Sequence, residues 1–122
     1  MHGPTFMGNP TACAAANASL DLFEENADQN RLLQVQRIEK VLNDELGPLS
    51  TCSRVADVRI KGAIGAVQLD DMINVDEAMA FFRDKGMFVR PLRDVVYLAP
   101  SFVIEEQDLR SLCLAVAEFV NR

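Results

Sequence analysis

The sequence is poor in the residues that build metal and redox sites. Among its 122 residues it has one histidine, His2, and three cysteines. Cys13, Cys52 and Cys113 are widely spaced and form no Cys-x-x-Cys pair, which excludes the usual zinc and dithiol patterns. A histidine-based metal site or a Cys–His catalytic pair would have to use His2 itself. We therefore expect no metal site, and free thiols in a reducing compartment.

Long hydrophobic runs and an excess of positive charge are also missing. No apolar run approaches the roughly 18 residues that span a bilayer, and the N-terminus lacks the basic and then apolar regions of a signal peptide. The net charge is −6 and the isoelectric point about 4.7, whereas nucleic-acid-binding surfaces are basic. We expect neither a membrane nor a nucleic-acid partner, and a cytoplasmic location.

Enough hydrophobic sequence is present to build one folded domain. Hydrophobic residues make up 49% of the chain, and a chain of this length buries roughly two-thirds of its unfolded surface without help from disulfides or metal. No linker, internal repeat or low-complexity segment interrupts it. We predict a single domain over residues 1–122, with a loop over residues 2–10 and a linking helix over residues 10–25.

Local patterns predict four helices and two pairs of strands. Apolar spacing predicts helices over about 12–25, 27–46 and 75–85, and from about 105 to near the C-terminus, with Asn9 or Thr11 capping the first and Asn74 the third. Alternation predicts antiparallel strands over 55–61 and 64–69, and a hairpin of 87–91 with 94–99. This order predicts an α+β fold, an antiparallel sheet with helices on one face.

The loop from His2 to Pro10 has the layout of an anion-binding loop. Gly3 and Gly8 allow close approach of the backbone to a ligand, and Thr5 offers a hydroxyl and a backbone N–H to a phosphate. An alanine-rich helix follows directly. The alternative interpretation is an ordinary N-terminal turn.

A second candidate is Arg90, which precedes Pro91 in a predicted strand. Its planar guanidinium matches a carboxylate with two parallel hydrogen bonds, and the proline stiffens the segment that aims it. The alternative is an arginine that faces solvent or pairs with an acidic side chain.

Three segments together resemble the class III pyridoxal-phosphate-dependent aminotransferases, most of all the branch that acts in biotin synthesis. They are residues 2–16, residues 55–65, and Val89-Arg90-Pro91 with residues 96–100. The resemblance covers the whole chain. It implies the C-terminal small domain of fold-type I enzymes, a sheet of three or four strands covered by helices.

The resemblance also implies roles for individual residues. Thr5 and Pro4 would bind the phosphate of pyridoxal 5'-phosphate held by the neighbouring subunit of a homodimer. Gly3 would line the substrate channel, and Arg90 would receive the substrate carboxylate. The small-molecule substrates would be S-adenosylmethionine as amino donor and 8-amino-7-oxononanoate as acceptor.

The residues that carry the chemistry in this family lie in a large domain that precedes the resembling region. These are the Schiff-base lysine and the acidic partner of the pyridine nitrogen. We therefore expect no catalytic residue in this chain, which would be a fragment inactive alone. Two alternatives stay open: a class III aminotransferase for ω-amino acids, which would not need Arg90, and a non-catalytic α+β interaction module.

Overall fold

The computed structural model describes residues 3, 5–24 and 30–122. In chain order the elements are α1 (Pro10–Glu24), α2 (Arg31–Leu46), a 3-10 turn (Gly47–Thr51), β1 (Val55–Lys61), β2 (Ile64–Leu69), α3 (Val75–Asp84), β3 (Val95–Leu98) and α4 (Glu106–Val120). The chain divides into two compact units, Met1–Gln34 and Val35–Arg122. That residues 1–122 act as one domain stays a prediction.

Asparagine caps begin the first two helices. The side-chain oxygen of Asn9 accepts a hydrogen bond from the backbone N–H of Ala12 at 3.0 Å, and Pro10 occupies the first helical position, where no N–H is needed. Asn30 accepts in the same way from Leu32 at 2.8 Å. Asn9 is thus confirmed as a cap, and α2 begins at Arg31, later than predicted. The predicted boundaries at residues 25–27 lie outside the described residues.

The second unit contains an antiparallel sheet in the order β1-β2-β3. In β2, Gly65 and the side chains of Val67 and Leu69 are buried, and the residues between them are not. This alternation places one face of the sheet against the core, which α2, α3 and α4 complete. The α+β prediction is confirmed, with three strands in the described part of the chain.

The predicted strand over residues 87–91 is wrong. Phe88, Arg90 and Leu92 are exposed while Val89 and Pro91 are buried, so the segment alternates like a strand. No described strand pairs with it, and Pro91 has no backbone N–H that could donate a hydrogen bond to a neighbouring strand. The partner of β3 is β2 instead, and a tight turn in which Leu92 and Val95 form an isolated bridge precedes β3.

The core of the second unit is formed by apolar side chains from all three helices and from the sheet. Ile38 and Leu42 of α2, Phe82 of α3 and Leu109 of α4 are fully or almost fully buried. Helix α2 packs tightly on the sheet at Gly65, where an added Cβ would lie 3.0 Å from a methyl carbon of Leu46. No helix in residues 5–24 or 30–122 is long and apolar enough to cross a bilayer.

Cys113 is buried in this core, which predicts a stability change in alkaline solution. Desolvation, followed by the charge of Glu45, raises the pKa of its thiol from 9.0 to about 12. The unfolded thiol ionises first, so this contribution is fully present below pH 9 and is lost between pH 9 and about 12. We expect the contribution of Cys113 to the free energy of unfolding to fall by at most about 1.4 kcal/mol per pH unit in that range.

Urea unfolding of the wild type and of Cys113→Ala across this pH range measures the effect. The variant has no thiol at position 113, so its slope should be the shallower of the two. Equal slopes would contradict the prediction.

The exposed Cys13 should react with a thiol reagent in the native wild type while Cys113 does not.

Candidate functional site

The first unit carries the proposed phosphate-binding loop. Residues 5–8 form a turn in which the N–H of Asn9 donates to the carbonyl of Phe6 at 3.2 Å. Gly8 has a φ of 73°, a left-handed conformation that glycine adopts at little energetic cost because it has no Cβ. The chain then passes directly into α1. The loop is thus a tight turn at the start of a helix.

Gly3 and Thr5 are both exposed in this loop. The hydroxyl of Thr5 has no hydrogen-bond partner among the described residues, so it is available to a ligand. At Gly3, an added Cβ would meet only a methyl carbon of Met7 at 3.4 Å, an ordinary contact. Pro4 lies outside the described residues. Gly3 and Thr5 are thus open to solvent, and their roles stay predictions.

The second unit contains a cleft of about 350 Å³ that Arg90 helps to line. Its walls come mainly from apolar and aromatic side chains, with Phe88 and Tyr97 the largest. Phe88 is 89% exposed and Tyr97 44% exposed, so both rings are accessible to a ligand. Among the described residues that line the cleft, Arg90 is the one that carries a charge. A cation beside apolar walls suits a carboxylate carried on an apolar chain.

The guanidinium of Arg90 is also unengaged. Within the ranges that the structure describes, it makes no ion pair and no hydrogen bond. The buried residues Val89 and Pro91 flank it and anchor the backbone, while its own side chain faces outward. The alternative of an ion-paired arginine therefore does not describe Arg90.

A larger groove of about 920 Å³ involves α3 and the end of α4, but its cations are already engaged. Lys85 pairs with Glu118 at 2.7 Å, and Arg122 lies over the ring of Phe81 at 4.6 Å from its centroid. Arg54 donates to the carbonyl of Val120 at 3.3 Å. No group of three or more potential metal ligands occurs in the part of the chain that is described. We therefore assign the candidate site to the Arg90 cleft.

None of the three lysines lines the Arg90 cleft. Lys61 lies 3.7 Å from Glu39 and its side chain is 95% exposed. Lys85 belongs to the larger groove, and Lys40 is exposed on α2. Their settings are those of surface residues.

Sequence reasoning missed a set of polar side chains that are hydrogen-bonded to one another on the sheet. Arg59 of β1, Gln68 of β2 and Asp94 are joined by hydrogen bonds of 2.8 Å across the outer face of the sheet. The outward positions of Arg59 and Gln68 in their strands could have predicted that both side chains share the outer face. Which residues are in contact depends on the register between the strands. Only the folded sheet shows which of these residues meet.

Comparisons with known proteins identify the family of the chain. The family model described as aminotransferase class-III matches residues 1–120. A curated relative from Buchnera aphidicola (subsp. Acyrthosiphon pisum), named adenosylmethionine-8-amino-7-oxononanoate aminotransferase, is 38% identical over 122 residues, 100% of this chain and 28% of the relative. One of the same name from Corynebacterium glutamicum is 40% identical over 116 residues, 95% of this chain and 27% of that relative.

Solved structures give the same picture. The crystal structure of adenosylmethionine-8-amino-7-oxononanoate aminotransferase from Methanocaldococcus jannaschii matches with a TM-score of 0.79 and 29% identity, covering 98% of this chain and 29% of that one. An omega transaminase from Pseudomonas jessenii matches with a TM-score of 0.80 at 22% identity, over 98% of this chain and 28% of that one, and shows the fold alone. The chain spans under a third of the length of these proteins. With a family model matched over nearly its whole length, the chain belongs to the class III aminotransferases.

Proposed function

We propose that this chain is the C-terminal part of a pyridoxal-phosphate-dependent transaminase that moves an amino group from S-adenosylmethionine to 8-amino-7-oxononanoate. The observation that carries the proposal is Arg90, whose guanidinium has no partner among the described residues and which lines a mainly apolar cleft. The acceptor has a carboxylate at one end of a long aliphatic chain. Relatives that bear this enzyme's name are 38% and 40% identical to the chain.

Arg90 would bind the acceptor carboxylate through the two parallel N–H donors of its fork. Phe88 and Tyr97 would cover the methylene groups nearest to that carboxylate, because their exposed rings line the same cleft. A carboxylate taken from water into such a cleft needs a charged partner. Arg90 is the group that supplies it.

The cofactor would be held through its phosphate. Thr5 offers a hydroxyl without a partner in the described chain, and its loop lies at the start of α1, whose N–H groups favour an anion. Pro4 would shape the loop, and Gly3 would line the substrate channel. When bound, pyridoxal phosphate supplies the electron sink that amino transfer requires.

In this proposal the complete enzyme is a homodimer, and Thr5 contacts the cofactor of the neighbouring subunit. The chain covers 28% and 27% of two relatives that bear this enzyme's name, so the lysine and the acidic residue that act on the cofactor would lie in the part of the enzyme that this chain does not match. The cytoplasmic location stays a prediction.

A chimera tests the proposal. The segment of the Corynebacterium glutamicum relative that matches this chain is replaced by the chain, and formation of 7,8-diaminononanoate from S-adenosylmethionine and 8-amino-7-oxononanoate is measured. We expect an active chimera that retains the cofactor. The unmodified relative is the positive control, and a Thr5→Ala chimera should hold the cofactor more weakly.

Two results would contradict the proposal. One is a folded, cofactor-loaded chimera that does not use 8-amino-7-oxononanoate. The other is a chimera that accepts only ω-amino acids, which would favour the other class III activity.

A further inference from the structure

Four polar side chains form a hydrogen-bonded row across the outer face of the sheet. Nη1 of Arg59 lies 2.6 Å from Oδ2 of Asp57 and donates to Oε1 of Gln68 at 2.8 Å. Nε2 of Gln68 donates to Oδ2 of Asp94 at 2.8 Å. The row therefore begins on β1, crosses β2 and ends in the turn before β3.

The amide of Gln68 fits this place in one orientation. Its oxygen faces a guanidinium, which only donates, and its NH₂ group faces a carboxylate, which only accepts. The hydrogen bond from Gln68 is the largest cause that lowers the pKa of the Asp94 carboxyl, because it favours the ionised form of that carboxyl. A glutamate at position 68 would instead set two carboxylates against each other.

Asp94 belongs to a turn that several backbone hydrogen bonds hold in place. Leu92 and Val95 exchange backbone hydrogen bonds of 2.8 and 2.9 Å, and Arg93 between them has a φ of 59°. A left-handed conformation in a residue other than glycine costs about 1 kcal/mol. The carbonyl of Asp94 accepts from the N–H of Leu69 at 2.8 Å. These hydrogen bonds hold the turn against the end of β2 despite the strained backbone of Arg93.

Arg90 lies two residues before this turn, and within the described chain nothing holds its guanidinium. Its place at the cleft is thus set by its backbone, through the buried Val89 and Pro91 and the turn that follows. We propose that Gln68 is a positioning residue for Arg90: by holding Asp94 it fixes the turn at residues 92–95, and with it the segment that presents Arg90 to a carboxylate. This inference rests on the proposed function, because it takes Arg90 as the carboxylate-binding group.

The experiment uses the 122-residue chain and nonanoate as the probe. Binding is followed by NMR at the Nε–H of Arg90 in the wild type, in Gln68→Glu and in Gln68→Glu combined with Asp94→Asn. The single variant should bind nonanoate about fivefold to tenfold more weakly. In the double variant, the carboxylate introduced at position 68 can accept from both Arg59 and the new amide, so affinity should return to within about twofold of the wild type. If Gln68 contributed only to the stability of the sheet, Gln68→Glu would lower the unfolding midpoint and leave the nonanoate affinity of the folded chain unchanged.

Glu118→Gln is the matched control, because it removes an ion pair in the larger groove and leaves the row intact. Hydrogen exchange of the Val95 amide, which donates to Leu92, reports on the turn without any ligand. We expect faster exchange in Gln68→Glu, restored in the double variant.

The outcomes separate this inference from the proposed function. If the wild type binds nonanoate at Arg90 and Gln68→Glu binds it equally well, the positioning role is wrong and the carboxylate site stands. If the wild type shows no response at Arg90, the carboxylate site fails. The role of Gln68 in presenting Arg90 to a carboxylate then fails with it, and an unchanged Val95 exchange rate in Gln68→Glu would overturn that role independently of any ligand.

Discussion

Replacing Phe82 with alanine should destabilise the Val35–Arg122 unit by about 3–5 kcal/mol. Phe82 is fully buried on α3, and its ring lies 5.2 Å from that of Phe81 and 5.3 Å from that of Phe119. The substitution removes apolar contact area and leaves a cavity that close-packed neighbours can fill only in part. Since domains of this size are stable by about 5–15 kcal/mol, much of the stability would be lost.

Phe88→Ala is the matched control, because it removes the same ring from a position that is 89% exposed. Urea unfolding followed by circular dichroism should show a much lower midpoint for Phe82→Ala and little change for Phe88→Ala, with similar slopes. Comparable losses in the two variants would mean that the packing described for α3 is incorrect.

Replacing Arg90 with alanine should weaken binding of a long-chain carboxylate about 10-fold to 100-fold, the effect of losing charge-assisted hydrogen bonds. Arg90→Lys keeps the charge but loses the planar fork, so it should fall between the wild type and the alanine variant. Because the guanidinium has no partner among the described residues, its removal should leave the unfolding midpoint unchanged. Titration of the chain with nonanoate measures the affinity.

Two controls make this test specific. Arg83→Ala removes an exposed arginine from the last turn of α3, outside the cleft, and should bind nonanoate like the wild type. Nonanamide has the same chain without the charge, so its binding should not depend on Arg90. A loss of affinity in Arg83→Ala equal to that in Arg90→Ala would indicate a general effect of net charge instead of a site.

Local signals were enough to predict much of the fold. Asn9 and Asn74 mark helix starts, and each accepts a backbone hydrogen bond as a cap should. The paired strands over 55–61 and 64–69 follow from alternation. Alternation failed over residues 87–91, because side chains can alternate between core and solvent without any neighbouring strand. The pattern reports which side chains are buried, and a strand also needs a partner for its backbone.

The site was predictable in part. The fork chemistry of Arg90 and its neighbour Pro91 indicated a carboxylate site from the sequence. The sequence could not predict that the guanidinium has no partner in the described chain, because that depends on which side chains the fold brings near it. The same holds for Gln68 and Asp94, which are 26 positions apart and meet only through the pairing of β2 with β3.

The segment before the turn has a consequence for how this chain tolerates insertions and deletions. Val89 and Pro91 are buried on either side of the exposed Arg90, although residues 88–91 belong to no strand. Adding or removing one residue between Gly86 and Val89 would exchange the inward and outward positions and turn the guanidinium toward the core, as a register slip does in a sheet. The length of this irregular segment should therefore be as constrained as that of a central strand, while its exposed side chains can vary in size.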